Sequence, residues 1–108
     1  DPEGIFKADT VLVPLEDGDR VQTLVKMGKK VIVIDLNPLS RSSKYATISI
    51  IDNVVRAFPL LLSYIKQFKN NNNKLELNEF HNSHNIKLCL KYINKNLSQK
   101  FTKYNFKI

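Results

Sequence analysis

Several features are scarce in this sequence of 108 residues, and each scarcity excludes a class of protein. A single cysteine, Cys89, excludes an internal disulfide and a thiolate metal cluster. Every apolar run is far shorter than the about 20 residues that a membrane-spanning helix needs, so we expect no membrane segment. No basic segment followed by an apolar one opens the chain, and we therefore expect no secretory signal. Because 43% of the residues are hydrophobic, the chain is expected to fold as a soluble, cytoplasmic domain.

Basic residues are distributed unevenly along the chain. Residues 1–63 carry eight basic and eight acidic side chains, whereas residues 64–108 carry nine lysines, two glutamates and no arginine. Clustered lysines are typical of nucleic-acid binding, because they release counterions from phosphate. Proteins that bind RNA or single strands usually interleave arginine and stacking aromatic residues with their lysines. The absence of arginine favours a solvated surface rich in lysine and asparagine, and we expect no nucleic-acid partner.

The pattern of apolar residues predicts an α/β fold. Two short runs rich in β-branched residues, Thr10–Leu15 and Lys30–Asp35, predict buried strands. The segment between them has helical spacing that ends at Gly28. This compact βαβ unit implies parallel strands, and Ala46–Ile51 predicts a third strand after a polar loop. The expected fold is an α/β domain with a short, mainly parallel three-stranded sheet and a helical C-terminal tail.

The second half of the chain predicts helices. An apolar face runs from Val54 to Phe68, and Pro59 marks either a kink or the true start of that helix. Asn70–Asn73 predict a link, and a last helix is expected from about Asn85. The small sheet cannot cover all the apolar residues of the first helix. We therefore expect five of them to be shared between the sheet and a second subunit: Val54, Val55, Phe58, Leu61 and Leu62.

Polar residues follow each of the three predicted strands. The clusters are Glu16–Arg20, Asp35–Ser43 and Asp52–Asn53. Parallel strands place their carboxyl ends on one edge of the sheet, which is where such sheets bind ligands. The three clusters are therefore expected to share one edge.

The residue types in these clusters are suited to a nucleotide. The carboxylate of Asp35, which closes the second strand, can accept hydrogen bonds from both ribose hydroxyls. Arg41, Ser42 and Ser43 can donate to a phosphate chain. Asn53 begins a helix, where backbone amides and the helix dipole favour an anion.

Each cluster also has a purely structural alternative. Asp35–Pro38 is typical of a capped turn, Asn53 of a helix N-cap, and Asp17–Gly18 of a loop between a strand and a helix. No glycine-rich phosphate-binding motif of either common kind is present. Residue types alone therefore leave the two interpretations open.

Two histidines and the cysteine have simpler interpretations. His81 and His84 lie three residues apart near Glu79, but no further ligand is evident, so no metal site is predicted. Cys89 lies among apolar residues and is interpreted as a buried structural thiol.

Four runs of sequence, in this order and at this spacing, carry a family resemblance: Ala8-Asp-Thr-Val-Leu-Val-Pro-Leu-Glu-Asp-Gly-Asp-Arg20, Leu24-Val-Lys-Met-Gly-Lys29, Ile34-Asp-Leu-Asn-Pro-Leu-Ser-Arg41 and Ile50-Ile-Asp-Asn-Val-Val-Arg-Ala57. Over residues 4–66 the chain closely resembles archaeal phosphopantothenate synthetase, also called 4-phosphopantoate–β-alanine ligase. The runs are long and uninterrupted, which makes the resemblance specific.

The resemblance implies a Rossmann-like, homodimeric ligase of coenzyme A biosynthesis. Its substrates would be 4-phosphopantoate and β-alanine, its cofactors ATP and Mg²⁺, and its products 4-phosphopantothenate, AMP and pyrophosphate, formed through an acyl-adenylate. Residues 1–69 would be the nucleotide-binding α/β part, and residues 70–108 a linker and helical tail of the same domain. The catalytic residues stay unassigned. Carried over by position, the ATP contacts fall on Asp35, Leu36, Asn37, Arg41, Ser42, Asn53 and Val54.

Family members are longer than this chain, and we expect part of their substrate pocket to lie outside it. The resemblance then implies that residues 1–108 alone are inactive. Two alternatives stay open: a non-catalytic nucleotide-binding or dimerisation remnant of the enzyme, and a basic RNA-associated module.

Overall fold

The computed structural model describes residues 2–14, 18–71 and 80–103. Within them the strands form one sheet in the order β1-β2-β3, and β2 pairs in parallel with both neighbours. The expected α/β fold, with a parallel sheet and a helical C-terminal part, is confirmed. In chain order the elements are α1 (Pro2–Ile5), β1 (Thr10–Pro14), α2 (Gly18–Lys26), β2 (Lys30–Asp35), α3 (Arg41–Tyr45), β3 (Ile48–Ile51), α4 (Val54–Asn71) and α5 (Asn82–Lys103).

The central strand β2 carries apolar side chains on both faces. On one face, Val31 and Val33 pack in a cluster with Val21 of α2 and Val13 of β1. Successive strand residues point to opposite faces, so Ile34 lies on the other side, where it is also fully buried. Helix α4 contacts β2. This second face is only partly covered, because Leu12 of β1, which lies on the same face as Ile34, is 38% exposed.

Helix α5 lies along the outer strand, contacting both β3 and α3. It begins at Asn82, three residues before the predicted start. Helix α4 begins at Val54 and contains Pro59, so the alternative in which the helix starts at the proline is wrong. None of the described helices is both long enough and apolar enough to cross a membrane.

Two of the described elements, α1 and α3, were not predicted from the sequence. The segment expected to be a polar loop contains α3, whose N-cap is Ser40, with the Ser40 side chain accepting a hydrogen bond from the backbone N–H of Ser43. A helix of five residues is too short to produce an apolar periodicity, so only its cap could have indicated it. Several residues to which the sequence assigned a role lie outside the described residues: Leu15, Glu16, Asp17, Asn72, Asn73 and Glu79.

Candidate functional site at the strand ends

The carboxyl ends of β2 and β3 lie side by side. Asp35 pairs in register with Ile51, and the backbone N–H of Asp52 donates to the carbonyl oxygen of Asp35 at 3.2 Å. The polar segments that follow the two strands therefore start from adjacent positions. This confirms the expectation that these two clusters share an edge.

The first turn of α2 reaches the same segment through Arg41. The Nη2 atom of Arg41 donates to Oδ1 of Asp19 at 2.6 Å and to Oε1 of Gln22 at 3.2 Å. Gly18 lies so close that a Cβ atom at position 18 would collide with the Cβ of Arg41. The start of α2 and the start of α3 are thus in direct contact, and the described part of the third cluster joins the other two.

Both carboxylate oxygens of Asp35 are engaged by the loop that follows it. Oδ1 accepts from the backbone N–H of Asn37 at 3.0 Å, and Oδ2 accepts from the hydroxyl of Ser40 at 2.6 Å. The side-chain oxygen of Asn37 in turn accepts from the backbone N–H of Leu39 at 2.9 Å. The capped-turn interpretation of Asp35 is therefore confirmed. An ionised carboxylate has about four lone-pair positions, so Asp35 retains capacity for further donors.

Ser43 fixes this loop from inside the protein. Its side chain is fully buried, and its hydroxyl donates to the carbonyl oxygen of Asn37 at 2.8 Å. Ser42 is buried as well, at 4% exposure. Of the three residues predicted to meet a phosphate chain, only Arg41 presents an exposed side chain, with 59% of it accessible. The two serines belong to the interior of the loop, and Arg41 to its surface.

Asn53 is the N-cap of α4, as the structural interpretation of this residue predicted. The side-chain oxygen of Asn53 accepts from the backbone N–H of Val55 at 2.8 Å. Oδ1 of Asp52 accepts from the backbone N–H of Asn53 at 2.7 Å and from Nε and Nη2 of Arg56 at 3.0 and 2.9 Å. The backbone hydrogen bond from Asn53, followed by the bonds and charge of Arg56, lowers the pKa of Asp52 below its ordinary value. The positive end of the helix dipole of α4 also lies at this edge.

The two remaining predicted residues, Leu36 and Val54, also lie at this edge. Leu36 is exposed on the loop after β2, and Val54 is half-buried in the first turn of α4. Sequence reasoning missed Gln22, because a glutamine within a helix carries no signal that its partner lies 19 residues away. It also missed Asn82, whose contacts are described below.

The histidines and the cysteine do not join the site. His81 and His84 are both exposed, and Cys89 is half-buried rather than buried as predicted. Among residues 2–14, 18–71 and 80–103, no three His, Cys, Asp or Glu side chains come together as a metal-binding group.

A parallel α/β sheet with acids, an arginine and a helix N-terminus gathered at its strand ends is typical of proteins that bind ligands at that edge. The sequence comparison defines the family. Residues 1–96 match the phosphopantothenate/pantothenate synthetase family, and the chain therefore belongs to that family.

Similar curated proteins come from several archaea, and each is named 4-phosphopantoate–β-alanine ligase. The protein from Thermococcus kodakarensis is 58% identical over 69 residues, which cover 64% of this chain and 26% of the relative. The protein from Methanosarcina mazei is 61% identical over 67 residues, covering 62% and 26%. The protein from Methanospirillum hungatei is 46% identical over 95 residues, covering 88% and 39%. The chain thus spans between about a quarter and two-fifths of the length of these relatives.

Proposed function

We propose that this chain is the ATP-binding part of a cytoplasmic ligase that joins 4-phosphopantoate and β-alanine in coenzyme A biosynthesis. Family membership and the name of the relatives support the reaction and its two substrates. ATP would supply the adenylyl group that activates the carboxylate, with release of AMP and pyrophosphate. Mg²⁺ would accompany the phosphates, and we assign no protein ligand to it.

The single observation that carries this proposal is the convergence of polar residues at the strand ends. Asp35 would accept from the ribose hydroxyls, because its carboxylate is already oriented by Asn37 and Ser40. Arg41 would meet the phosphates from the exposed surface of α3. The residues proposed to contact ATP are those named from the sequence: Asp35, Leu36, Asn37, Arg41, Asn53 and Val54, together with the backbone of Ser42, whose side chain is buried.

The same geometry supports the expectation that residues 1–108 bind ATP without turnover. The reaction needs neutralisation of a triphosphate, a phosphate ester and a carboxylate brought close together. Two arginines of this edge already face carboxylates, Arg41 at Asp19 and Arg56 at Asp52. Together with Arg20 of the first cluster, these are few cations for three anionic groups, and we propose that groups outside residues 1–108 complete the active site.

We also propose a homodimer, supported by the division of α4 into two apolar stripes. On one stripe Ala57 is buried, with Val54 and Leu61 half-buried. On the neighbouring stripe Val55, Phe58 and Leu62 are 76%, 42% and 53% exposed. An exposed apolar stripe of this kind is typical of a surface that contacts a partner.

Residues 1–69 and 70–108 are proposed to form one domain. The support is the docking of α5, whose residues Asn82 and Asn85 hydrogen-bond to Ser49 of the sheet.

Calorimetry with MgATP tests the proposed function. We expect saturable binding by residues 1–108, and a loss of about 1.5–3 kcal/mol of binding free energy in Arg41→Ala, as for a hydrogen bond to a charged group. Lys30→Ala is the matched control, because it removes one positive charge from an exposed position at the opposite end of β2. Equal losses in the two variants, or no binding by the wild-type chain, would contradict the proposal.

The second measurement is formation of AMP and pyrophosphate from ATP, 4-phosphopantoate and β-alanine. Binding without AMP formation is the expected result for residues 1–108. Turnover within about a hundredfold of a full-length relative, a difference of about 2.7 kcal/mol in activation free energy, would mean that the substrate site lies inside this chain.

A further inference from the structure

One side chain at the start of α5 contacts three separate positions of the sheet and of α3. Nδ2 of Asn82 lies 2.9 Å from the carbonyl oxygen of Ser43, 3.1 Å from that of Ala46 and 3.0 Å from the hydroxyl of Ser49. Its Oδ1 accepts from the backbone N–H of Ser49 at 2.8 Å. Because carbonyls only accept and a backbone N–H only donates, these partners fix the orientation of the carboxamide.

These contacts lead directly to the candidate site. The Ser43 carbonyl that Asn82 holds also accepts from the Ser49 hydroxyl at 2.6 Å. From Ser43, hydrogen bonds continue to the carbonyl oxygen of Asn37 and to the hydroxyl of Ser40, and Ser40 donates to the carboxylate of Asp35. A continuous hydrogen-bonded path therefore joins α5 to the loop that follows β2.

We propose that Asn82 is a positioning residue of the strand-end site, an inference that rests on the proposed nucleotide function. Its two amide hydrogens hold the carbonyls at both ends of the segment Ser43–Ala46. This anchors the C-terminal part of α3, while Ser40 and Ser43 anchor its start. The loop that carries Asp35, Asn37 and Arg41 is thereby fixed before a ligand binds, and the nucleotide does not have to order it.

The neighbouring Asn85 provides a natural comparison. Its Nδ2 donates to the carbonyl oxygen of Ser49 at 2.8 Å, a contact to the edge strand rather than to α3. Loss of Asn85 therefore weakens the docking of α5 on β3 and leaves the carbonyls of Ser43 and Ala46 held. Loss of Asn82 removes both the contact with β3 and the contacts with the carbonyls of Ser43 and Ala46.

The variant Asn82→Asp removes the two donors of the side chain and keeps its acceptor. An aspartate keeps an oxygen for the backbone N–H of Ser49, and a negative charge in the first turn of α5 is favourable for the helix. It has no hydrogens for the carbonyls of Ser43 and Ala46. Its second oxygen would instead face and repel these two carbonyls, so the variant should keep the contact of α5 with the Ser49 N–H and release α3.

The experiment measures MgATP affinity by calorimetry and amide hydrogen exchange of residues 37–46 without nucleotide, in the wild type and three variants of the full chain. We expect Asn82→Ala and Asn82→Asp to weaken MgATP binding by about tenfold and to accelerate exchange in this segment by a similar factor. Asn85→Ala also loses a docking contact of α5, so its urea midpoint should fall as well, but it should change both MgATP affinity and exchange by less than about twofold.

Two results would overturn the inference: unchanged exchange of residues 37–46 in both Asn82 variants, or equal effects of Asn82→Asp and Asn85→Ala. If the wild-type chain does not bind MgATP, the proposed function fails, and the exchange measurement alone decides whether Asn82 holds this loop.

Discussion

Asp35 accepts two hydrogen bonds from its own loop, one from the backbone of Asn37 and one from the hydroxyl of Ser40. Arg41 is likewise held, by Asp19 and Gln22. The structural and functional interpretations of these residues are therefore compatible, because a side chain that is already oriented loses less conformational entropy when it binds a ligand. For Asp35 the local contacts provide that orientation.

Asp52 provides a prediction about pH at the residue scale. Hydrogen bonds from Asn53 and Arg56 lower the pKa of Asp52 in the folded protein from its ordinary 3.8. The carboxylate therefore stabilises the fold fully above that ordinary pKa, and its contribution is lost as the pH falls through the lowered value. Asp52→Asn keeps an oxygen acceptor but removes the charge. We expect a lower urea midpoint at pH about 7 and a smaller decline of that midpoint below pH about 4.

The control for this prediction is Asp9→Asn, which removes an exposed carboxylate just before β1, at the opposite end of the sheet. Urea midpoints measured across the acid range should change less in this control than in Asp52→Asn. If Asp52→Asn and the wild type had parallel pH profiles, the pairing of Asp52 would contribute nothing to stability.

Whether a contact could be predicted from the sequence depends on how many positions along the chain separate its two residues. The N-cap at Asn53 and the turn at Asp35 are formed with residues two positions away, and local patterns indicated both. The partners of Gln22 and Asn82 lie 19 and between 33 and 39 positions away. No local pattern encodes such contacts, because they depend on the packing of whole elements.

At the scale of elements, α3 depends on its neighbours more than on its own sequence. Its five residues are held by the cap at Ser40, by the buried Ser43 and by contacts with α2 and α5. An isolated helix of this length is unstable in water. The strands and long helices were predictable, because apolar periodicity extends over each of them. The short helix that carries Arg41 was not.

The contact between α2 and α3 can be tested by replacing Gly18 with alanine, with Gly28 as the control position. A Cβ atom at position 18 would overlap the Cβ of Arg41, so Gly18→Ala must push α2 and α3 apart. We expect this to cost about 1–3 kcal/mol of unfolding free energy and to weaken MgATP binding, because Arg41 is displaced. Urea unfolding and calorimetry measure the two effects.

Gly28→Ala is the matched control. Gly28 ends α2 with a φ of 84°, which favours glycine, but open space surrounds the position of its missing Cβ. Alanine there should cost about 1–2 kcal/mol through backbone strain alone. We expect the two variants to lose similar amounts of stability. Only Gly18→Ala should lose MgATP affinity. If both variants bound MgATP like the wild type, the contact between α2 and α3 would not position the site.

At the scale of the whole molecule, the chain is more extended than a compact domain. The Cα radius of gyration is 16.5 Å, compared with about 13 Å expected for a compact domain of this length. From Leu62 to Asn70 every residue of α4 is exposed. A long helix with an exposed apolar stripe fits a chain that buries further surface against a partner. The sequence could predict this excess of apolar residues. It could not predict which of them face outward, because that depends on where the sheet lies.

Dimer formation through α4 is tested by sedimentation equilibrium. We expect the wild type to be a dimer at tens of micromolar, and the double variant Phe58→Asp and Leu62→Asp to be a monomer, because both side chains are exposed on one stripe. Ser63→Asp and Gln67→Asp, exposed polar positions on a different face of α4, add the same charge and should leave the dimer intact. A wild-type monomer at these concentrations would contradict the proposal.

The proposed function depends on ATP binding at the strand-end edge of this chain. A titration of ¹⁵N-labelled residues 1–108 with MgATP, followed by amide chemical shifts, tests it most directly. We expect saturable shifts concentrated in residues 35–43 and 52–54, with little change at Lys30 on the opposite edge. Shifts that instead follow the lysines of α5 (Lys87, Lys91 and Lys95) and vanish with added salt would indicate nonspecific polyanion binding. That result, or no saturable shift, would contradict ATP binding at the strand ends.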